Sequence, residues 1–196
     1  MAIRLNGKRV LILGAETEIG RAVTTAVAEV GASVAAVAAA SDAEAAFAVQ
    51  RLARGLSAER KVIAQAIDAT NEAAVRVMVR QVSKELGGLD AVVLVTTEAA
   101  RQREFSMDLA RQYGGRELSR SGGGKLVIVW SMPATKPGEP VSGPAFKMEL
   151  RPPDVRPDEW TRGQNWTATF LQYAETMLSR AAADVVAAIA GEPDSG

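Results

Sequence analysis

Short unbroken apolar runs alternate along the chain with stretches whose apolar residues recur at helical spacing. Residues 10–13, Val-Leu-Ile-Leu, carry no polar interruption, the pattern of a parallel strand covered on both faces. Gly14 breaks the run. From Ile19 onward Ala22, Val23, Ala26, Val27 and Val30 fall on one helical face, and Gly31 stands where a C-terminal cap belongs. Residues 33–37 read as a second strand, 41–54 as an Ala-rich amphipathic helix, 61–67 as a third strand, 72–86 as a helix and 91–95 as a fourth strand. The charged stretch 101–120 reads as a helix around Phe105, Leu109 and Tyr113 interrupted at Gly114-Gly115, and 126–131 as a fifth strand. This alternation predicts an α/β fold, a doubly wound parallel sheet of about five to six strands in three α/β/α layers.

The last third reads differently. Seven of the eight prolines lie between Met132 and Trp160, which forbids a long helix there and predicts an extended loop or lid at about 132–157. Beyond it, apolar positions through Met177, Ala181 and Val185 predict a helical segment at about 158–190, stopped by Gly191-Glu192-Pro193. Residues 1–196 are thus expected to form a single domain.

Composition narrows the chemistry more than it shapes the fold. Lys and Arg total 23 against 23 Asp and Glu, with a pI near 6.4, so no electrostatic case for nucleic acid arises. No apolar stretch reaches the about 18 residues of a membrane span, and MAIRLNGKRV lacks a signal-peptide core, so a cytoplasmic protein is expected. Cys and His are both absent, which excludes thiol nucleophiles, disulfides, Cys/His zinc sites and Ser-His triads. Proton transfer is left to Tyr, Lys, Asp, Glu or Ser, and the only tyrosines are Tyr113 and Tyr173.

A strand, glycine turn and helix set the first helical N–H groups above a strand end, where they can hold a phosphate. On these residues the chain resembles the short-chain dehydrogenase/reductase family, whose Rossmann-like turn reads TGxxxGxG. Gly14 and Gly20 hold the outer glycine places, Leu13 the threonine place and Glu18 the middle glycine. The resemblance implies a cofactor-binding set of Gly14, Glu18, Ile19, Gly20, Asp68 and Ala69. Glu18, with Glu16 nearby, brings negative charge to a dianionic ligand. Like charges ~4 Å apart repel by about 1 kcal/mol in water and about 4 kcal/mol at an effective dielectric of about 20. Affinity therefore requires both carboxylates to point outward, and Arg21 offsets part of the repulsion.

Other stretches carry the resemblance further. Asp68-Ala69-Thr70 falls where the family has D-V-T, its aspartate near the adenine; the residue reads equally as a helix cap. Gly87-Gly88-Leu89-Asp90 matches the approach to the fourth strand, but Leu94, Val95, Thr96 and Thr97 replace N-N-A-G. Ser131 closes the fifth strand on the family's catalytic serine, or as an ordinary turn residue. Asn165 matches a proton-relay asparagine in residue type but follows Ser131, the reverse of the family's order, so either the elements are rearranged or, the favoured reading, the likeness is a coincidence of helix chemistry.

The family's tyrosine and the lysine one helical turn later, which lowers its pKa, have no counterpart: the fourth residue after Tyr113 is Glu117, and after Tyr173 it is Met177. About where the tyrosine is expected stand Pro144, Ala145, Phe146 and Lys147. Three readings follow. The first is a catalytically degenerate family member acting as a structural or regulatory subunit, in a homo- or hetero-oligomer with short-chain-dehydrogenase-type subunits. The second is an NAD(P)-dependent oxidoreductase with an unconventional centre using Ser131 and Lys147, Lys136 or Asn165. The third is a nucleotide sensor without turnover. Cofactor is NAD or NADP, or none, with NAD only slightly favoured: Ala38-Ala39-Ala40 ends the second strand with neither an immediate acid for the ribose hydroxyls of NAD nor an arginine for a 2′-phosphate. Asp42 there reads as a helix cap.

Overall fold

The computed structural model describes residues 3–58, 60–97, 105–132, 157–174 and 176–191. Six strands, β1 (Arg9–Leu13), β2 (Ser33–Ala39), β3 (Val62–Ile67), β4 (Ala91–Thr97), β5 (Gly124–Met132) and β6 (Trp166–Ala174), form one sheet in the order β3-β2-β1-β4-β5-β6. Every pairing is parallel. The chain therefore reverses its direction of travel across the sheet between β1 and β4, and parallel sheets bind ligands at the carboxyl edge of such a switch point.

Helices α1 (Glu18–Glu29), α2 (Ala43–Leu56) and α7 (Leu178–Ala190) cover one face. There Val23, Val27, Val49, Val185 and Ile189 pack with Val10, Ile12, Val127 and Val129. Helix α3 (Glu72–Leu86), the short α4 (Met107–Leu109), a π segment Ala110–Gly114 and α5 (Gly115–Arg120) cover the other. Val75, Val79, Val82 and Leu118 pack there with Leu11, Leu13, Leu94, Leu126 and Ile128. The alternation along β1 and β5 divides the two cores, as period-two side chains require.

Arg9 and Asp90 tie the starts of β1 and β4. The Arg9 Nε donates to Asp90 Oδ2 at 2.8 Å and its backbone N–H donates to the same oxygen at 2.9 Å. Burial alone would push the Asp90 carboxyl up, but these bonds outweigh it and hold the group below its usual range.

Two segments differ from the sequence expectation. Gly114 and Gly115 do not interrupt their helix: a Cβ at Gly114 would stand 3.1 Å from the Val92 side chain and one at Gly115 2.8 Å from the Trp166 ring. Glycine lets this helix sit close on the sheet. The segment expected to be helical over 158–190 is divided into α6 (Pro157–Thr161), β6 and α7. Trp166, Ala168 and Phe170 face one core, Leu171 and Tyr173 the other, and β-branched and aromatic residues favour this half-buried edge strand. The expected loop or lid at 132–157 lies almost wholly outside the described residues, as do Lys136, Pro144, Phe146 and Lys147.

Candidate functional site

At the switch point the turn after β1 is built around two glycines. Gly14 has φ +79°, and a Cβ there would collide with the Val95 carbonyl oxygen on β4. Gly20 has the same need: a Cβ would stand 2.8 Å from Thr17 Oγ1 and 2.9 Å from the Ala15 Cα. The N–H groups of Gly14 and Ala15 both donate to the Val37 carbonyl at 3.1 Å, pinning the turn to β2. Thr17 caps α1: its hydroxyl accepts from the Gly20 N–H at 2.9 Å and donates to the Gly14 carbonyl at 3.0 Å. The Arg21 N–H goes to the Thr17 carbonyl at 2.9 Å. The leading amides of Glu18 and Ile19 are then the helix's donors toward an anion.

The two nearby acids go different ways. Glu18 is exposed, whereas Glu16 is buried at 9% exposure. The Arg21 guanidinium folds back and donates to the Glu16 carbonyl oxygen. The backbone thus fits a phosphate, but the Glu18 side chain leaves the helix at its first turn, where the family's glycine would leave open space. Ile19 is buried and packs in the core below the turn, so only its backbone is available.

Asp68 and Ala69 lie past the end of β3. Ala69 is buried; Asp68 is exposed and accepts from the Thr70 hydroxyl at 2.6 Å and the Thr70 N–H at 3.0 Å. Those two bonds hold the Asp68 carboxyl below its usual range. The cap of α3 is Asn71, whose side chain accepts from the Ala74 N–H, so Asp68 shapes the turn before the helix and does not cap it. Asp42 does cap α2, accepting from the Ala45 N–H at 3.0 Å.

Ser131, near the end of β5, is buried at 1% exposure. It shares a face with Val129 and Val127, two and four residues earlier, and is in register with Thr97 on β4 and Tyr173 on β6. Tyr173 therefore stands beside it, yet its hydroxyl donates to Asp184 Oδ2 on α7 at 2.6 Å. Arg180 donates to the same oxygen at 2.7 Å. Burial would raise the Asp184 carboxyl, but the Tyr173 and Arg180 hydrogen bonds together bring it below its usual range.

Tyr113 packs in the opposite core and donates to Glu72 Oε1, which raises its pKa, so the sheet separates it from Ser131. Asn165 is also apart. It precedes β6 at the amino edge, its Nδ2 donating to the Ser119 carbonyl at 3.4 Å, while Ser131 lies seven residues along β5 from Gly124, the partner of Trp166. At ~3.3 Å per residue the two are more than about 20 Å apart. The expected pairing of Ser131 with Asn165 is not formed.

Sequence reasoning missed a cavity of about 280 Å³ at the carboxyl ends of β4 and β5, lined by Thr96, Phe105, Asp108, Trp130 and Trp160 among others. Trp160 is held by an edge contact with Phe170, centroids 5.3 Å apart, and by the Arg111 guanidinium 5.4 Å over its ring. No local sequence signal marked it, because Phe105, Trp130 and Trp160 are 25 and 30 residues apart and only the fold brings them together. The Asp184 contact had a faint one, a single carboxylate in an apolar helix.

Comparison with known proteins bears on this geometry. The family model for short chain dehydrogenase matches residues 8–113, from the start of β1 to the π segment. No curated protein sequence matches the chain. A short-chain type dehydrogenase/reductase from Mycobacterium marinum superposes with a TM-score of 0.56 at 30% identity, over 65% of this chain and 57% of that one. Hydroxysteroid dehydrogenase from Escherichia coli gives 0.54 at 24% identity, over 64% and 56%. The 7α-hydroxysteroid dehydrogenase complexed with NADH gives 0.54 at 23%, over 65% and 55%. The chain thus spans a little over half the length of these structures.

Proposed function

We propose that this chain, which belongs to the short-chain dehydrogenase family, is a catalytically degenerate member that serves as a structural or regulatory subunit. Its partners would be further copies or intact relatives of the same type. What carries the reading is the fate of its two tyrosines: the Tyr113 hydroxyl donates a hydrogen bond to Glu72 across the sheet from Ser131, and the Tyr173 hydroxyl, beside Ser131, donates one to Asp184. The bond to Glu72 raises the Tyr113 pKa, and neither tyrosine has a lysine four residues on to lower it.

Residual dinucleotide binding is weak in this reading. The Glu18 and Ile19 amides can receive a phosphate, but the Glu18 charge opposes one, and the end of β2 carries neither an arginine for a 2′-phosphate nor an immediate acid for the ribose hydroxyls, so NAD is only slightly favoured over NADP. Calorimetric titration with NADH and NADPH, and a scan of NAD(P)H oxidation with carbonyl compounds, test the proposal. Expected are weak NADH binding at most and no carbonyl-dependent oxidation by the chain alone, with activity or stability of a co-encoded dehydrogenase altered on mixing. Carbonyl-dependent oxidation by the chain alone, lost in Ser131→Ala, overturns it. That outcome would favour the second reading, an active oxidoreductase, for which the register of Tyr173 with Ser131 is the supporting observation.

A further inference from the structure

We propose that a groove between α3 and α5 is a binding site for a small anion of the diphosphate class, separate from the crevice at Gly14. The groove encloses about 340 Å³ and is lined by Arg76 and Arg80 from α3 and by Arg116 and Arg120 from α5. On each helix the two arginines are four residues apart, so both stems leave one face a single turn apart. Together they form a cationic frame around a floor made by buried Tyr113 and Glu117.

Charge within the frame is not balanced locally. Glu117 pairs with Arg120, and Glu72 is engaged by the Tyr113 hydroxyl. Two carboxylates therefore stand against four guanidinium groups. Among the described residues Arg76, Arg80 and Arg116 make no ion pair. In a chain whose 23 basic and 23 acidic residues cancel, this is a concentrated positive excess. Like charges four apart on a helix destabilise it by about 0.2–0.5 kcal/mol, and a bound anion relieves that repulsion.

The chemistry of the frame selects the ligand class. Guanidinium forks match phosphate oxygens two bonds at a time, and two pairs suit two linked anionic centres better than one. The volume is that of a small-molecule site, at the low end of about 300–1,000 Å³. A nucleic-acid interface would need roughly 600 Å² or more and a basic stripe on a basic domain, which a chain of zero formal charge lacks. Because α3 and α5 cover the sheet face opposite α1, the groove shares no residue with the glycine turn and stands or falls independently of the proposed function.

Calorimetric titration of the full chain at low ionic strength with inorganic pyrophosphate, with citrate and with a short DNA duplex tests this. Expected is saturable pyrophosphate binding with Kd below roughly 1 mM, weakened ~10-fold or more by Arg76→Gln with Arg116→Gln. The exposed α2 pair Arg51→Gln with Arg54→Gln changes it less than about twofold. Should the first double variant unfold, exposed Arg80→Gln alone reads the same loss. Citrate binding as tightly as pyrophosphate overturns the phosphate assignment, and a duplex binding more tightly overturns the small-ligand assignment. No saturable binding, or an equal loss in the α2 pair, overturns the site.

Discussion

The carboxyl edge of the sheet has two halves, and they are held in different ways. Around β1 and β4 the turn is fixed by backbone: Gly14 against the Val95 carbonyl, Gly20 against Thr17 and Ala15, Thr17 bridging both ends. Around β5 and β6 the strands run on in full register, but the polar side chains serve packing, with Tyr173, Asp184 and Arg180 linking β6 to α7. A turn made of glycines this tightly packed cannot drift far without unfolding the domain, because the same atoms hold the first strand, helix and fourth strand together. Side chains at the ends of β5 and β6 are under no such backbone constraint, and there the Tyr173 phenol serves a helix contact.

The largest test of this contrast is Gly14→Ala. The substitution puts a Cβ into the Val95 carbonyl at a φ of +79°, adding overpacking to a left-handed penalty for a combined loss of about 3 kcal/mol or more. Urea denaturation should show a midpoint shift of that size or no folded protein. A fully stable Gly14→Ala variant would mean that the turn is not pinned by packing, and the contrast between the halves would fail.

Next in size is the reverse experiment on the same half, Glu18→Gly, which restores the family's middle glycine. Removing one negative charge from the mouth of α1 should raise NADH affinity about tenfold, roughly 1.4 kcal/mol, read by calorimetry. An unchanged affinity would mean that the exposed carboxylate already stands clear of the ligand.

On the other half Tyr173→Phe should lower stability by about 1 kcal/mol, the net worth of one hydrogen bond to a carboxylate that keeps a second partner. Thermal denaturation measures it. If the variant instead keeps its stability and abolishes a measured NAD(P)H oxidation, the tyrosine belongs to chemistry and not to packing.

Much of this was legible in the chain, and what escaped did so for physical reasons. The central strands β1, β2, β4 and β5 announced themselves as short apolar runs because both faces of a central parallel strand are buried, and the edge strand β3 was legible by its place in the alternation. β6 lies at the edge: Thr167 and Gln172 are exposed while Trp166 and Tyr173 are buried, so Trp166 and Phe170, four apart, passed for a helical face. Gly114-Gly115 reads as a break until Val92 and Trp166 are seen beneath it. The likeness of Asn165 to a relay residue was local, and only the register of β6 with β5 shows that it sits at the wrong edge. Glu18 was legible by its place in the turn, whereas the separation of exposed Glu18 from buried Glu16 required coordinates.

The smallest expected effect sharpens the account of the β6 and α7 contact through pH. Tyr173 and Arg180 hold the Asp184 carboxyl below its usual range against the opposing pull of burial. A folded-state pKa below the unfolded value of about 3.9 means that the unfolded chain binds the proton more readily. The stabilisation is therefore complete above that value and is lost as pH falls through the lower folded value. Arg180 is 58% exposed, so solvent screens its share and the whole effect stays under about 1 kcal/mol. Comparing urea midpoints of the wild type and Asp184→Asn should show a difference above about pH 4 that narrows toward pH 2. A gap that instead widens on acidification would mean that Asp184 is destabilised by its surroundings, and Tyr173 would no longer be accounted for as a structural donor.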